Sequence, residues 1–443
     1  MATQQDVPPI SNPQGTDDEM LETLLRETFE YFRLEANAKT GLIADKNQPG
    51  SPGSIASVGL GLSAYVVAAE RNLISRSAAI ERTLTVLRFL HASPQSAAPD
   101  AVGYKGFYYH FLDMETGQRA GQCELSTIDT AILMAGILTA AAYFERDDER
   151  ETEIRQTADT LYRRVDWQWA LEGKNTISHG WKPESGFLPD RWDSGYSEAL
   201  ILYALAAGSP TFSIGREGYE EWVSSFEVKE AHGIEYIYAG PLFIHQLSHA
   251  WIDCRGIQDK ATRRLGMDYF GNSRKATYVH REYGIANPRQ FKGYGKWGWG
   301  LTASDGPGPA VIKVDGIRRE FFSYTARGAP FGPDDGTLSP WAVAASLPFT
   351  PEIVLKTLRH AIERLETKDH TSYGFDASFN PTYPEKNGDR NGWISPWIYG
   401  LNQGPIMLMI ANFQSGLIWN IFRRCPHVEA GLRQLGFSGK GLE

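Results

Sequence analysis

The stretch Arg191-Trp192-Asp193-Ser194-Gly195-Tyr196-Ser197-Glu198-Ala199-Leu200-Ile201-Leu202-Tyr203-Ala204-Leu205-Ala206-Ala207 reads as a polar, aromatic loop running into an apolar helix. One acid, Glu198, stands in the first turn. A carboxylate forced against small and apolar neighbours is expensive unless it is paired, hydrogen-bonded or protonated. A helix apolar on every side must be buried all round. Further segments of the same kind stand near 54–70, 126–144, 241–252, 338–347 and 404–422. Between them run amphipathic helices over 17–35, 76–91, 147–166, 216–226, 257–283 and 351–367. In the first of these Leu21, Leu24, Leu25, Thr28, Phe29 and Phe32 recur at helical spacing among Glu and Arg.

The two kinds alternate strictly. Connections from an apolar helix to the next amphipathic one are short, as at 71–75 and 348–350. Those leading into apolar helices are long, at 36–53, 92–125, 167–195, 227–240, 284–337 and 368–403. If successive helices run antiparallel, all six long connections emerge at one end, and long loops in a compact domain are usually functional. The pattern predicts an all-α fold, an (α/α)6 toroid of six inner and six outer helices with a cleft above the inner N-termini. Residues 1–15, polar and carrying Pro8, Pro9 and Pro13, are expected to form a flexible arm, and 16–440 a single catalytic domain.

Composition narrows the partner. Of 443 residues 42% are hydrophobic and 22% charged, and the net charge of -9 lacks the basic surplus that nucleic acid demands. No apolar run approaches the roughly 18 residues of a membrane span, and no signal peptide is expected at Met1. Cys123, Cys254 and Cys425 match no zinc or redox spacing and read as buried thiols.

Polar residues at the inner-helix starts would line the cleft floor: Ser54, Ser57, Ser126, Asp129, Glu198, Gln246, His249, Ser339 and Gln403. Glu124 lies just upstream of the second apolar helix. Glu198 facing Glu124 or Asp129 would set two carboxylates across one cleft, the arrangement used in acid/base glycoside hydrolysis. Helix capping competes for these residues. Ser126-Thr127-Ile128-Asp129 is a capping-box variant, and the helix dipole favours an acid in the first turn. That dipole would also lower the pKa of a general acid, so burial or a neighbouring carboxylate, with Asp190 and Asp193 as candidates, must outweigh it at Glu198.

Tyr109, Trp181, Trp192, Trp297, Trp299 and Trp393 fall in the long connections among Gly, Asn, Asp and Arg. Aromatic faces with adjacent polar groups suit pyranose rings, so an oligosaccharide cleft is predicted, with loop packing claiming some of these rings. Tyr196, His249, Asp305, Asp335, Asn402 and Gln403 complete the expected substrate-binding set. His245, His249 and Asp253 fall at i, i+4 and i+8, too little for a zinc site without a third ligand and supporting shell. No metal and no cofactor is expected. Gly293-Tyr294-Gly295 and Gly306-Pro307-Gly308 lack the strand-turn-helix context of a phosphate loop.

Four motifs carry a family resemblance: Thr127-Ile128-Asp129-Thr130-Ala131-Ile132-Leu133-Met134-Ala135-Gly136, Gly195-Tyr196-Ser197-Glu198-Ala199-Leu200, Asp335-Gly336-Thr337-Leu338-Ser339-Pro340 and Gly400-Leu401-Asn402-Gln403-Gly404-Pro405. Over residues 17–437 the chain resembles the bacterial glucoamylase-like proteins that include the endo-β-1,2-glucanases of glycoside hydrolase family 144. The resemblance implies an (α/α)6 barrel, hydrolysis of β-1,2-glucan or sophoro-oligosaccharides, Glu198 as general acid, and a periplasmic or secreted location. Two departures stand out: Asp129 where relatives commonly carry Glu, and Asn402 where they commonly carry Asp. Glu124 lies in a Glu-Leu-Ser-Thr-Ile-Asp run similar to cyclic β-1,2-glucan synthases, which keeps Glu124 beside Asp129 as second carboxylate. The expected protein is a monomeric glycosidase. A retaining transglycosylase, a polysaccharide lyase and a non-catalytic glucan-binding protein are the competing readings.

Overall fold

The computed structural model describes residues 15–365, 373–384 and 392–442; most of the expected N-terminal arm lies outside them. In chain order the helices are α1 (Asp17–Leu34), α2 (Ile55–Glu70), α3 (Arg76–Ala92), α4 (Thr127–Tyr143), α5 (Glu149–Arg164), α6 (Leu200–Ala207), α7 (Glu217–Ser224), α8 (Lys260–Arg264), α9 (Tyr269–Ala286), α10 (Pro340–Ala345), α11 (Pro351–Leu365), α12 (Gly400–Ser415), α13 (Leu417–Arg423) and α14 (Pro426–Gln434). Every residue of α2 but Glu70 is buried, as is the whole of α6 and of α10. By contrast α1 buries one stripe, Met20 to Phe32, and opens with a reciprocal cap between Thr16 and Glu19. The chain is mostly helical, with an inner layer of apolar helices wrapped by amphipathic ones.

The inner helices pack in sequence order, α2 on α4 and α4 on α6, while α12 returns to lie against both α2 and α10. The tightest seam joins α2 to α4. A Cβ on Gly59 would stand 2.3 Å from the Ile132 carbonyl oxygen, and one on Gly136 2.0 Å from that of Gly59. Only glycine lets these backbones meet. Small residues in α2 and α4 therefore do more than make the helices apolar; they set the distance between them.

The single helix expected over 257–283 is two, α8 and α9, and four further expectations about the helices need correction. The segment 241–252 is not an α-helix but two 3-10 turns, Leu242–His245 and Ser248–Ala250. Its polar side chains turn sideways: the Gln246 amide donates to the Ala342 carbonyl at 2.6 Å and the Ser248 hydroxyl to the Glu198 carbonyl at 2.9 Å. The i, i+4, i+8 face expected of His245, His249 and Asp253 does not form there. Second, α6 begins at Leu200 rather than 196, leaving Glu198 in the turn before it. Ala199 supplies no side-chain cap, and Ser248 takes that part by accepting from the Ile201 N–H at 3.2 Å. Third, the expected helix 404–422 starts at Gly400 and breaks at Gly416, whose φ of 65° lets α13 leave at 89°. Fourth, α14 was not expected, and it packs on α6.

The long connections also carry more structure than loops. Gly103–Tyr104, Phe107–Tyr109, Leu125–Ser126, Gly180–Lys182 and Gly186–Phe187 form one antiparallel five-stranded sheet, and hairpins occupy 228–237 and 310–321. Among the described residues no single helix is long and apolar enough to cross a membrane.

Candidate active site

A cavity of about 470 Å³ opens at the shared N-terminal end of the inner helices. Its floor comes from α4 (Ile128, Asp129, Ile132), the turn holding Glu198, Gln246 and Leu247, Trp341 of α10 and Asn402 of α12. The walls come from the long connections: Asp45 and Lys46, His110 and Phe111, Tyr324, and Tyr399. Three acids, Asp45, Asp129 and Glu198, thus face one space.

Their surroundings differ. Ser126 caps α4 by accepting from the Asp129 N–H at 3.2 Å, and its hydroxyl donates back to Asp129 Oδ2 at 2.5 Å. That oxygen also faces His110 Nε2 at 3.6 Å. On its other side His110 Nδ1 meets Glu124 Oε1 at 2.8 Å, and the imidazole stacks on Phe111 at 3.9 Å. Burial alone would lower the His110 pKa, but the charges of Asp129, Glu124 and Asp45 overcome it and lift it to about 9. Glu124 falls to about 2, chiefly through its hydrogen bond with His110. At neutral pH a cation therefore sits between two carboxylates.

Glu198 goes the other way. Glu198 is half-buried at the cavity floor, and desolvation there, helped by the Asp129 charge and opposed by the nearby backbone N–H, raises it to about 7. Burial does outweigh the local backbone field, and the neighbouring acid is Asp129 rather than Asp190 or Asp193. Asp45 is also raised by burial, with His110 and Lys46 opposing and Asp129 adding. Among the described residues no other residue donates a hydrogen bond to the carboxylate of Glu198 or of Asp45.

Of the residues expected from sequence, Glu198, Asp129, Asn402, Ser54 and Gln246 line the cavity. Glu124 stands behind His110. Trp192 is buried, stacked on His179 at 4.0 Å, and donates to Thr127 Oγ1. Tyr196 lies parallel to Tyr269 at 5.7 Å, and Tyr109 is covered by the Arg119 guanidinium at 4.7 Å. Trp181 packs on Tyr104 and Trp169, while Trp299 donates to Thr357 and shares a small crevice with Trp297. His249 is buried against Phe349 and held by Ser273 at 3.1 Å, and burial lowers its pKa to about 3. Asp335 and Arg327 form an ion pair with both side chains 0% exposed. Gln403 is fully buried, and Trp393 pairs with Asn380 in a short hairpin. These positions do not line the cavity; most hold the loops together. Asp305 accepts from Ser395 at 3.2 Å and interacts with Tyr399 of the cavity wall. No group of three or more His, Cys, Asp or Glu among the described residues is arranged to hold a metal ion.

Sequence reasoning missed Asp45, Lys46, His110, Phe111, Tyr324 and Tyr399. The signal available was position alone: each stands in or beside a long connection entering an inner helix.

The Glycoamylase family model, described as "Putative glucoamylase", matches residues 191–426. This chain belongs to that family. A Bacteroides fragilis structure of the same description is 32% identical with a TM-score of 0.82, covering 98% of this chain and 100% of its own. The endo-β-1,2-glucanase of Chitinophaga pinensis, solved with sophorotriose and glucose, is 30% identical with a TM-score of 0.82, covering 97% and 100%. An exo β-1,2-glucooligosaccharide sophorohydrolase of Parabacteroides distasonis is 28% identical over 454 residues, covering 95% of this chain. The chain spans 58% of that relative's length. The glucoamylase-family match takes in Glu198 and Asn402, whereas Asp45, His110, Glu124 and Asp129 lie upstream of it.

Proposed function

We propose that this glucoamylase-family chain is a glycoside hydrolase acting on β-1,2-glucan or sophoro-oligosaccharides, with Glu198 as general acid. The observation that carries the reading is the Glu198 carboxyl at the floor of an open cavity, with a pKa raised to about 7 by burial. A general acid works best when its pKa lies near the operating pH, so that it is protonated before the step and can release the proton during it. The names of the Chitinophaga and Parabacteroides relatives support the linkage. Of the two expected second carboxylates, Asp129 borders the cavity and acts electrostatically on Glu198, while Glu124 engages His110. The architecture we propose is a closed (α/α)6 toroid working as a monomer; the alternation of buried and amphipathic helices supports it.

The test is incubation with β-1,2-glucan and with β-1,3- and β-1,4-glucans, followed by product analysis. Release of sophoro-oligosaccharides or glucose from the β-1,2 polymer alone is expected, with E198Q at least about 1,000-fold slower. Near-normal turnover by E198Q sinks the assignment. A lyase fits poorly, because three acids around the cavity would repel a uronate. A non-catalytic glucan-binding role draws on Asn402, an amide bordering the cavity, and predicts affinity for sophorotriose with no product.

A further inference from the structure

The inference rests on the glycosidase reading and concerns the group opposite Glu198. Hydrolysis needs a second carboxylate to take a proton from water, a carboxylate already tied to a cation or a hydroxyl is the weaker base, and the acids near the cavity are not equally tied. Glu124 Oε1 is held by His110 at 2.8 Å. Asp129 Oδ2 accepts the Ser126 hydroxyl and faces the His110 cation. Asn402, an amide, cannot serve as a base. The Asp45 carboxylate lines the cavity and accepts no hydrogen bond from any described residue.

Its backbone, in contrast, is fixed. The Asp45 N–H donates to the Pro52 carbonyl at 2.8 Å, and its own carbonyl accepts from the Gly400 N–H at 2.9 Å. The Asn47 N–H donates to the Ile398 carbonyl, and Asn47 Oδ1 accepts the Ile398 N–H at 2.8 Å. This pairing straps Asp45 to the start of α12, the helix whose first turn puts Asn402 on the cavity floor. Asp129 interacts electrostatically with both Asp45 and Glu198. The cavity of about 470 Å³ that Asp45 and Glu198 both line has room for the water that an inverting glycosidase holds between acid and base.

We propose that Asp45 is the catalytic base, taking a proton from a water that attacks the anomeric carbon from the face opposite Glu198. The water oxygen bonds to that carbon as the bond to the leaving glycosidic oxygen breaks. Glu198 gives its proton to that oxygen, and Asp45 keeps the proton of the water. The two carboxyl groups exchange their protonation states, which solvent then resets. A β-linked substrate yields an α-configured product.

The test compares wild type, D45N, D129N and E198Q on a defined β-1,2-glucan, with the first-formed anomer read by proton NMR. Wild type is expected to release the α-anomer. D45N should lose at least about 1,000-fold in kcat while KM stays within about threefold. Added azide should restore turnover of D45N with an α-glycosyl azide as product. Sophorotriose affinity by calorimetry and an unchanged melting temperature establish that D45N is folded with its cavity intact. D45N retaining more than about a tenth of wild-type kcat, or first release of the β-anomer, overturns the inference and leaves the glycosidase reading standing. A wild type that leaves β-1,2-glucan uncut overturns both.

Discussion

Glu198 and His110 occupy one cavity and both pKa values are pushed up, the acid toward neutrality and the imidazole toward charge, and each leaves a thermodynamic trace. Glu198 has a folded pKa of about 7 against an ordinary 4.5. Between those values the unfolded chain binds fewer protons than the native one, so stability falls as pH rises and levels off above about 7. E198Q lacks this penalty. We expect its melting temperature to exceed that of wild type by a margin that opens above pH 4.5 and stops growing beyond about 7, read by calorimetry across pH. The same titration should set the basic limb of wild-type activity, with kcat/KM falling above about pH 7. For His110 the slope has the same sign but another origin, a gain in the charged form rather than a penalty on it. Its pKa rises from 6.5 to about 9, so its contribution is complete below 6.5 and fades toward 9. The matching contribution of Glu124 is complete above 4.5 and fades toward 2. H110Q should therefore destabilise most between pH 4.5 and 6.5 and least above 9. At this scale Glu198 was legible, because an acid next to an apolar run advertises its own desolvation. Asp45 was not: its cavity position depends on pairing with residues some 350 positions away, and nothing local records that.

Among the elements, the seam between α2 and α4 makes the sharpest claim. Replacing a helical glycine by alanine ordinarily stabilises by up to about 1 kcal/mol. At Gly59 and Gly136 the added methyl would meet backbone that cannot give way. We expect G59A and G136A each to destabilise by about 3 kcal/mol, measured by urea unfolding, and a stabilising effect at either would refute the packing. Helices α2, α4, α10 and α11 were readable to within a few residues because their apolar pattern is dictated by burial. The failure at 241–252 has a different origin. That segment is as apolar as the others, but Gln246 and Ser248 spend their hydrogen bonds on α10 and on the turn before α6, and a straight helix would leave those neighbours uncapped. The aromatic residues misled for a related reason. Trp192, Trp299 and Tyr196 stand in or beside long loops, as sugar-binding rings do, yet they are the packing that keeps such loops folded.

For the whole molecule, the layered arrangement was legible from alternation alone, and the family from four motifs, while the sheets in the connections were not. The Gly103–Phe187 sheet brings two long connections together, and its strands are two or three residues long, too short for a periodic signal. Cleavage of β-1,2-glucan by the chain spanning 58% of its Parabacteroides relative would show that this unit carries the chemistry by itself. A reducing-sugar assay on the purified chain checks it, and dependence on further sequence would count against the proposal. The return of α12 to α2 has a further consequence for biosynthesis. One flank of α2 is covered by α4, which follows closely, but the other is covered by a helix that begins at Gly400. Until that helix leaves the ribosome, a nascent chain displays the Leu60 side of α2 to solvent and to chaperones. Contacts so distant in sequence are slow to form, and chains cut short before residue 400 should be held by chaperones or degraded rather than accumulate as partial domains.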